Sequence, residues 1–350
     1  MRLDKVFAVM KKNNIDCVVI KDRDTIRYLT GFTGDAGLFF ADKLRGILVT
    51  DGRFTEQATA QIKPFQVLEY KGNIWITLAD LCKDAQRIGF DGDKFTFDEY
   101  NQFQKQVVNK ELVSLSFNEI RIVKEKQELE YLSAAAKIAD EGFLKLLPII
   151  HQGMTEKDLA AQLEYNMKCL GSEKTSFETI VASGPRSALP HGQPTDRIIQ
   201  TGDFVTFDFG AVYNGYHSDI TRTVVIGKAT DWHKEIYETV RQAQQLGVES
   251  VQIGMTGCEL DALVRRQIAD KGFGENFVHG LGHGVGLKIH ELPNINKAGK
   301  EPLEKGMVFS IEPGIYLPGR GGVRIEDTVV LTERGAVTLN SVDRQLIEIM

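Results

Sequence analysis

Apolar residues in the first third of the chain come in short blocks that switch between helical and extended spacing. Residues 3–13 are amphipathic, Cys17-Val18-Val19-Ile20 is a continuous apolar run, and Gly46-Ile47-Leu48-Val49-Thr50 is a second run that stops at Asp51. Residues 54–61 have helical spacing, and residues 28–37 are punctuated by glycine. Strands alternating with helices predict an α/β layer. A mixed-charge helix start within residues 118–126 changes the pattern, so two domains are expected, residues 1–120 and 121–350.

Beyond that boundary the pattern repeats itself. Gly153-Met154-Thr155 followed by Asp158-Leu159 recurs as Gly254-Met255-Thr256 followed by Glu259-Leu260. Each triplet follows a long helical stretch, residues 124–147 and 231–251, and opens a second helix ending near a glycine. The offset is 101 residues in both comparisons, Gly153 to Gly254 and Gly171 to Gly272. Threonine with an acid three residues on is a capping-box pattern, weaker with Asp158 than with Glu259. A glycine at the far end supplies the left-handed residue that a helix C-terminus favours. Each helix pair precedes two strands, residues 204–208 and 217–226 in one copy, 307–312 and 323–331 in the other. Two helix–helix–strand–strand copies predict an α+β domain with a pseudo-twofold axis.

The strands bring acids together. Asn214-Gly215 is a strong signal for a two-residue hairpin turn. With that turn Tyr213 faces Tyr216 and Gly210 faces Asp219. Asp208 shares the parity of Gly210, so Asp208 and Asp219 lie on one face as diagonal neighbours about 7–8 Å apart. Their surroundings (Phe204, Val205, Phe207, Phe209, Val224, Val225, Ile226) imply burial, and buried carboxylates are paired, protonated or metal-bound. Salt bridges, for instance to Arg222, explain one acid more easily than two. Glu312 and Glu326 occupy the corresponding places in the second copy, separated by 14 residues against 11 for Asp208 and Asp219. Across a twofold axis all four acids converge, and two divalent cations would neutralise them. Nearby, three of the seven histidines (His279, His283, His290) fall within twelve glycine-rich residues. The segment fits neither a zinc-binding HExxH helix nor a dinucleotide loop. One imidazole among carboxylates suits Mn²⁺, with Zn²⁺, Co²⁺ and Fe²⁺ also compatible.

Composition narrows the classes. Hydrophobic residues make up 42% and charged residues 26% of 350 residues, with a net charge of −6. An acidic chain without a basic patch argues against nucleic-acid or anionic-membrane partners. Four scattered cysteines lack a CxxC spacing, which suits a reducing, cytoplasmic setting. No apolar run approaches the ~18 residues of a membrane helix, and the N-terminus has no signal-peptide pattern.

Ser183-Gly184-Pro185-Arg186-Ser187-Ala188-Leu189-Pro190-His191-Gly192, Phe207-Asp208-Phe209-Gly210, Ser218-Asp219-Ile220-Thr221-Arg222-Thr223, Gly280-Leu281-Gly282-His283-Gly284, Ile311-Glu312-Pro313-Gly314 and Val323-Arg324-Ile325-Glu326-Asp327 resemble the Xaa-Pro aminopeptidase and prolidase branch of the pita-bread (M24) metallopeptidases. Thr30-Gly31-Phe32-Thr33-Gly34-Asp35-Ala36-Gly37 and Asp51-Gly52-Arg53 resemble that branch's creatinase/prolidase N-terminal domain.

The resemblance implies two divalent metals, held by Asp208, Asp219, His283, Glu312 and Glu326. It implies that Asp219 and Glu326 bridge them, and that His191, His279 and His290 surround the substrate. Glu312 would carry the proton, with Arg324 and Tyr316 near the substrate and Phe177 either on a side-chain pocket or in the core. The implied substrate is a peptide with proline in second position, and the implied assembly a homodimer. A strict Xaa-Pro dipeptidase is the nearest alternative. It needs a cation for the substrate carboxylate, from Arg186, Arg320, Arg324 or a partner's N-terminal domain. A methionine aminopeptidase leaves the N-terminal domain unexplained. A silent pita-bread binding module is the alternative of another class, and creatinase-like members lack the complete metal set.

Overall fold

A computed structural model describes residues 2–350 and divides the chain into two compact units, the first ending at Arg121 and the second spanning Ile122–Met350. The first unit is an α/β layer of strands β1 (Cys17–Ile20), β2 (Leu38–Asp42), β3 (Gly46–Thr50), β4 (Gln66–Glu69), β5 (Arg87–Asp91) and β6 (Glu111–Leu115). Its helices are α1 (Arg2–Lys12), α2 (Arg23–Thr30), α3 (Thr55–Gln61), α4 (Ile74–Leu81) and α5 (Phe97–Gln106). The sheet order is β4-β3-β2-β1-β5-β6. The β1–β2 and β2–β3 pairs are antiparallel, and the other three are parallel. All four residues of β1 are buried, as a continuous apolar run at the centre of a sheet requires. The glycine-punctuated stretch begins where Gly31, at φ 79°, closes α2 by donating its N–H to the Arg27 carbonyl.

The second unit contains α6 (Lys126–Leu146), β7 (Ile180–Ser183), β8 (Phe204–Phe209), β9 (Val212–Tyr213), β10 (Tyr216–His217) and β11 (Ile220–Ile226), with α7 (Glu156–Cys169) ahead of β7. After them come α8 (Asp231–Ser250), α9 (Gly257–Asp270), β12 (Gly282–Gly284), β13 (Glu291–Ile295), β14 (Val308–Ile311), β15 (Gly314–Leu317), β16 (Gly321–Arg324), β17 (Glu326–Thr332), β18 (Gly335–Thr338) and β19 (Ile347–Ile349). The large sheet runs β13-β12-β14-β17-β11-β8-β7, with β18 on β17 and β19 on β11. Its midline lies between the antiparallel strands β11 and β17, where Thr221 pairs with Glu326. On either side stand equivalent neighbours: β8 and β7 beyond β11, β14 and β12 beyond β17. Each half owns a helix pair and a small hairpin, β9–β10 or β15–β16. This is the pita-bread arrangement with its pseudo-twofold axis.

Both capping boxes form. Thr155 and Asp158 exchange bonds of 2.8 and 3.1 Å at the start of α7, and Thr256 and Glu259 bonds of 2.8 and 3.2 Å at the start of α9. Gly171 and Gly272 lie just beyond those helices at φ 102° and 87°. Tyr213 pairs with Tyr216 around Asn214 (φ 47°) and Gly215 (φ 76°). One expectation changes: the returning strand of each half is broken, not continuous from 217 to 226 or from 323 to 331. At Gly210 a Cβ would fall 1.9 Å from the Ser218 carbonyl oxygen, so the hairpin can fold sharply there. The first-half register survives the break, since Phe209 still pairs with Ile220 and Asp208 with Thr221. In the second half Ile311 pairs with Asp327 and Gly314 with Arg324, a register that sets Glu312 opposite Glu326.

Candidate metal centre

The register just described puts the acids at one place. Asp208 is near the end of β8, Asp219 just before β11, Glu312 just after β14, and Glu326 opens β17. His283 occupies the middle of β12 between Gly282 and Gly284. A Cβ on Gly282 would lie 2.0 Å from the Ser310 carbonyl, and one on Gly284 2.1 Å from the Leu292 carbonyl. Only glycine lets this strand press between its neighbours and deliver the imidazole. All five residues line one cavity of ≈ 470 Å³.

One ligand atom each from Asp219, His283 and Glu326 lies within 4.8 Å of the others. His283 Nε2 is 3.4 Å from both Asp219 Oδ2 and Glu312 Oε1. These contacts are not ion pairs, because burial and then neighbouring His290 push His283 down to about 4, leaving it neutral. Burial, then the charges of Glu326, Asp208 and Glu312, raise Asp219 well above the carboxylate range. Glu326 is raised likewise by burial and then by Glu312 and Asp208. Burial pushes Glu312 to about 8, although Arg324 opposes it. The protein's own charges therefore do not satisfy the cluster. Asp208 Oδ1 and Glu326 Oε1 are buried without a hydrogen-bond partner. Orphaned carboxylate oxygens at that depth are costly, and bound cations would supply what they lack. The donor set, oxygen-rich with one neutral imidazole, fits a divalent metal.

The remaining partners hold these ligands still. Thr221 Oγ1 donates to Glu326 Oε2 at 2.6 Å and accepts from Arg324 Nε at 3.1 Å. Ser310 Oγ donates to Glu312 Oε1 at 3.2 Å and accepts the His283 N–H at 3.1 Å. Sequence reasoning missed both, although each stands two residues from a ligand candidate on a strand and so shares its face. Arg324 lines the cavity but is 3% exposed in its side chain. Besides Thr221 it donates to Asp208 Oδ2 (2.5 Å), the Tyr316 hydroxyl (2.8 Å) and the Pro190 carbonyl (3.1 Å). Tyr316 sits behind the wall, 2.8 Å from His279 Nε2, with its hydroxyl pushed to about 12 by burial. Burial, then Arg324, bring His279 to about 4, and burial also lowers His290. His191, His279, His290 and the half-buried Phe177 all face the cavity.

The suggested Arg222 salt bridge is a correction. Arg222 turns away from Asp208 and Asp219 to Asp327 Oδ1 at 2.7 Å and to the carbonyls of Glu326 and Val342. Two further arginines are committed elsewhere: Arg186 pairs with Glu156 at 2.7 Å, and Arg320 covers the Trp232 ring at 4.8 Å. Gln193, Asn296 and Glu178 also line the cavity and were not singled out from sequence. No helix among the described residues is long and apolar enough to cross a membrane.

The profile of metallopeptidase family M24 matches residues 130–333, and that of the creatinase/prolidase N-terminal domain matches residues 2–123. A Xaa-Pro dipeptidase of Pyrococcus furiosus is 39% identical, with 99% of each chain covered. The structure of a Xaa-Pro dipeptidase from Bacillus anthracis is similar with a TM-score of 0.97 at 40% identity, covering 99% of both chains. That of an X-Pro aminopeptidase from Thermotoga maritima has a TM-score of 0.92 at 36% identity, covering 99% of this chain and 100% of that one. With both of its parts matched and its carboxylates gathered where a divalent metal is needed, the chain belongs to metallopeptidase family M24, in the branch with a creatinase/prolidase N-terminal domain, and is a peptidase.

Proposed function

We propose that the protein is a dinuclear-metal aminopeptidase that hydrolyses the bond between an N-terminal residue and a following proline. The observation that carries this reading is the convergence of four carboxylates on His283, with Asp208 Oδ1 and Glu326 Oε1 left unpartnered at depth. Asp208, Asp219, His283, Glu312 and Glu326 would hold the two ions, with Asp219 and Glu326 shared. Mn²⁺ is the ion we favour, with Co²⁺, Zn²⁺ and Fe²⁺ as competitors. Two such ions supply Lewis acidity and bring the pKa of water near neutral.

The chain's own groups then divide the work. Ser310 occupies Glu312 Oε1, so Oε2 is the oxygen that takes a proton from water and returns it to the leaving nitrogen. Both nitrogens of His279 are engaged, Nδ1 with the Gly280 carbonyl at 2.8 Å and Nε2 with Tyr316. His290 is therefore the better donor to the developing oxyanion. His279 serves to orient, through the chain Asp208–Arg324–Tyr316–His279. His191, exposed on the wall, is placed to hold the proline side of the substrate.

A tertiary amide offers no N–H, so a proline-directed enzyme must grip its substrate otherwise. A strict dipeptidase also needs a cation for the terminal carboxylate. Arg324 is the one lysine or arginine lining the cavity among the described residues, and its nitrogens are committed to protein partners. This favours the aminopeptidase reading. The strict dipeptidase is kept as a second reading because relatives bear that name.

We further propose two domains, residues 1–120 and 121–350, a homodimer and a cytoplasmic setting. Light scattering tests the homodimer, and a fully active monomer would remove it. The decisive assay gives Mn²⁺-loaded protein Ala-Pro and Ala-Pro-Ala side by side and follows released alanine. Cleavage of both, or mainly of the tripeptide, supports the aminopeptidase. Cleavage of the dipeptide alone establishes the second reading. No cleavage of either with two metals bound points to another amide substrate or to the silent binding module.

A further inference from the structure

One charged side chain on the cavity wall has no task in this scheme. Glu178 stands two residues before Ile180, which pairs with Asp208 across β7 and β8. Directly paired residues share a face, so Ile180 lies on the face of Asp208, and Glu178 precedes β7 on the same cavity wall. Thr179 between them is buried, whereas Glu178 is exposed, and both Glu178 and Ile180 line the cavity. Its neighbours on the wall do not neutralise it. Arg324 is enclosed and spends its donors on Asp208, Tyr316, Pro190 and Thr221. The four ligand acids are balanced by the ions they would hold. That leaves Glu178 as an acid beside the cavity with no ion-pair partner among the described residues.

We infer that Glu178 is a specificity residue that disfavours a free carboxylate on the proline, so that the preferred substrates continue beyond it or are blocked there. The inference rests on the Xaa-Pro reading and deepens it. On this reading the carboxylate of a dipeptide would stand in the same cavity as Glu178, where like charges repel even through partial screening by solvent. A peptide bond or amide at that place carries no charge and meets no such penalty.

The test compares Ala-Pro with Ala-Pro-NH2, which differ in that one charge, using the Mn²⁺-loaded enzyme and its E178Q and E178K variants. The wild type is expected to favour the amide in kcat/KM, and E178Q to shrink that preference about three- to tenfold, as for a partly screened charge pair. E178K should shrink it further, and added salt should weaken all three differences. Thermal melting of each variant controls for folding, which an exposed side chain should not disturb. Three results would overturn the inference. One is a wild type that prefers the dipeptide. Another is a dipeptide-to-amide ratio that stays within twofold in both variants. The last is an equal loss on both substrates, which would instead make Glu178 an anchor for the α-amine they share. Failure of the wild type to cleave either substrate would remove the Xaa-Pro reading itself, a distinct outcome.

Discussion

Replacing Thr221 by valine keeps the shape of a fully buried β-strand side chain and removes one hydroxyl. That hydroxyl donates to Glu326 Oε2 at 2.6 Å and accepts from Arg324 Nε. A hydrogen bond to a charged group contributes about 1.5–3 kcal/mol. It also works against the burial that raises Glu326, so without it a proton competes harder with metal for the same carboxylate. At about 1.4 kcal/mol per decade, T221V should lose roughly 10- to 100-fold in metal affinity. The assay is a competition titration of Mn²⁺ or Zn²⁺ against a chelating indicator at fixed pH. T221S, which keeps the hydroxyl, should stay within a few-fold of wild type. Metal affinity of T221V within twofold of wild type, in a folded protein, would refute the idea that this bond holds Glu326 ready for an ion.

Stability of the metal-free protein should depend on pH in a definite sense. The folded-state pKa of Glu312, about 8, lies above its ordinary 4.5, so its contribution is present below pH 4.5 and lost as pH rises through 8. Between these limits stability should fall by on the order of 1 kcal/mol per pH unit, and Mn²⁺ should remove the slope. Melting curves in EDTA and in Mn²⁺ test this, and a flat EDTA profile contradicts it. Lys124 and Glu291 form a pair 2.5 Å apart with side chains 0% and 3% exposed. K124M should therefore cost about 3–5 kcal/mol by removing one partner of this buried pair, much of it recovered in K124M/E291L, as denaturant titration would show. T155A and T256A should each cost about 1 kcal/mol, and their costs should add in the double variant.

The parts legible in the sequence were those fixed by short-range rules. The Asn214-Gly215 turn set a register that carries through to Asp208 and Thr221, so the shared face of Asp208 and Asp219 followed by counting. The capping boxes at Thr155 and Thr256 and the glycines at 171 and 272 were equally local. What escaped depends on three-dimensional closeness. Arg222 and Arg324 both lie near ligand acids in sequence, yet strand alternation sends Arg222 to Asp327 and Arg324 to Asp208. The break in the first returning strand goes with a close backbone approach at Gly210 that no periodicity records. Tyr316 was expected beside the substrate, but it stands one layer back, where it bridges Arg324 and His279.

The midline pairing of β11 with β17 also bears on how the protein is made. Asp208 and Asp219 emerge from the ribosome about a hundred residues before Glu312 and Glu326, and β11 gains its partners β17 and β19 only later. β19 adds to β11 along Val224–Ile226, and Arg222 clasps the carbonyls of Val342 and Asp343. A nascent chain that has reached only β11 thus holds half a ligand set on an unfinished sheet, to which β17 and later β19 add. The two halves of the ligand set can meet only once β17 has been made, so a chain that has not yet reached Glu326 lacks the complete set with which to attack peptides around it.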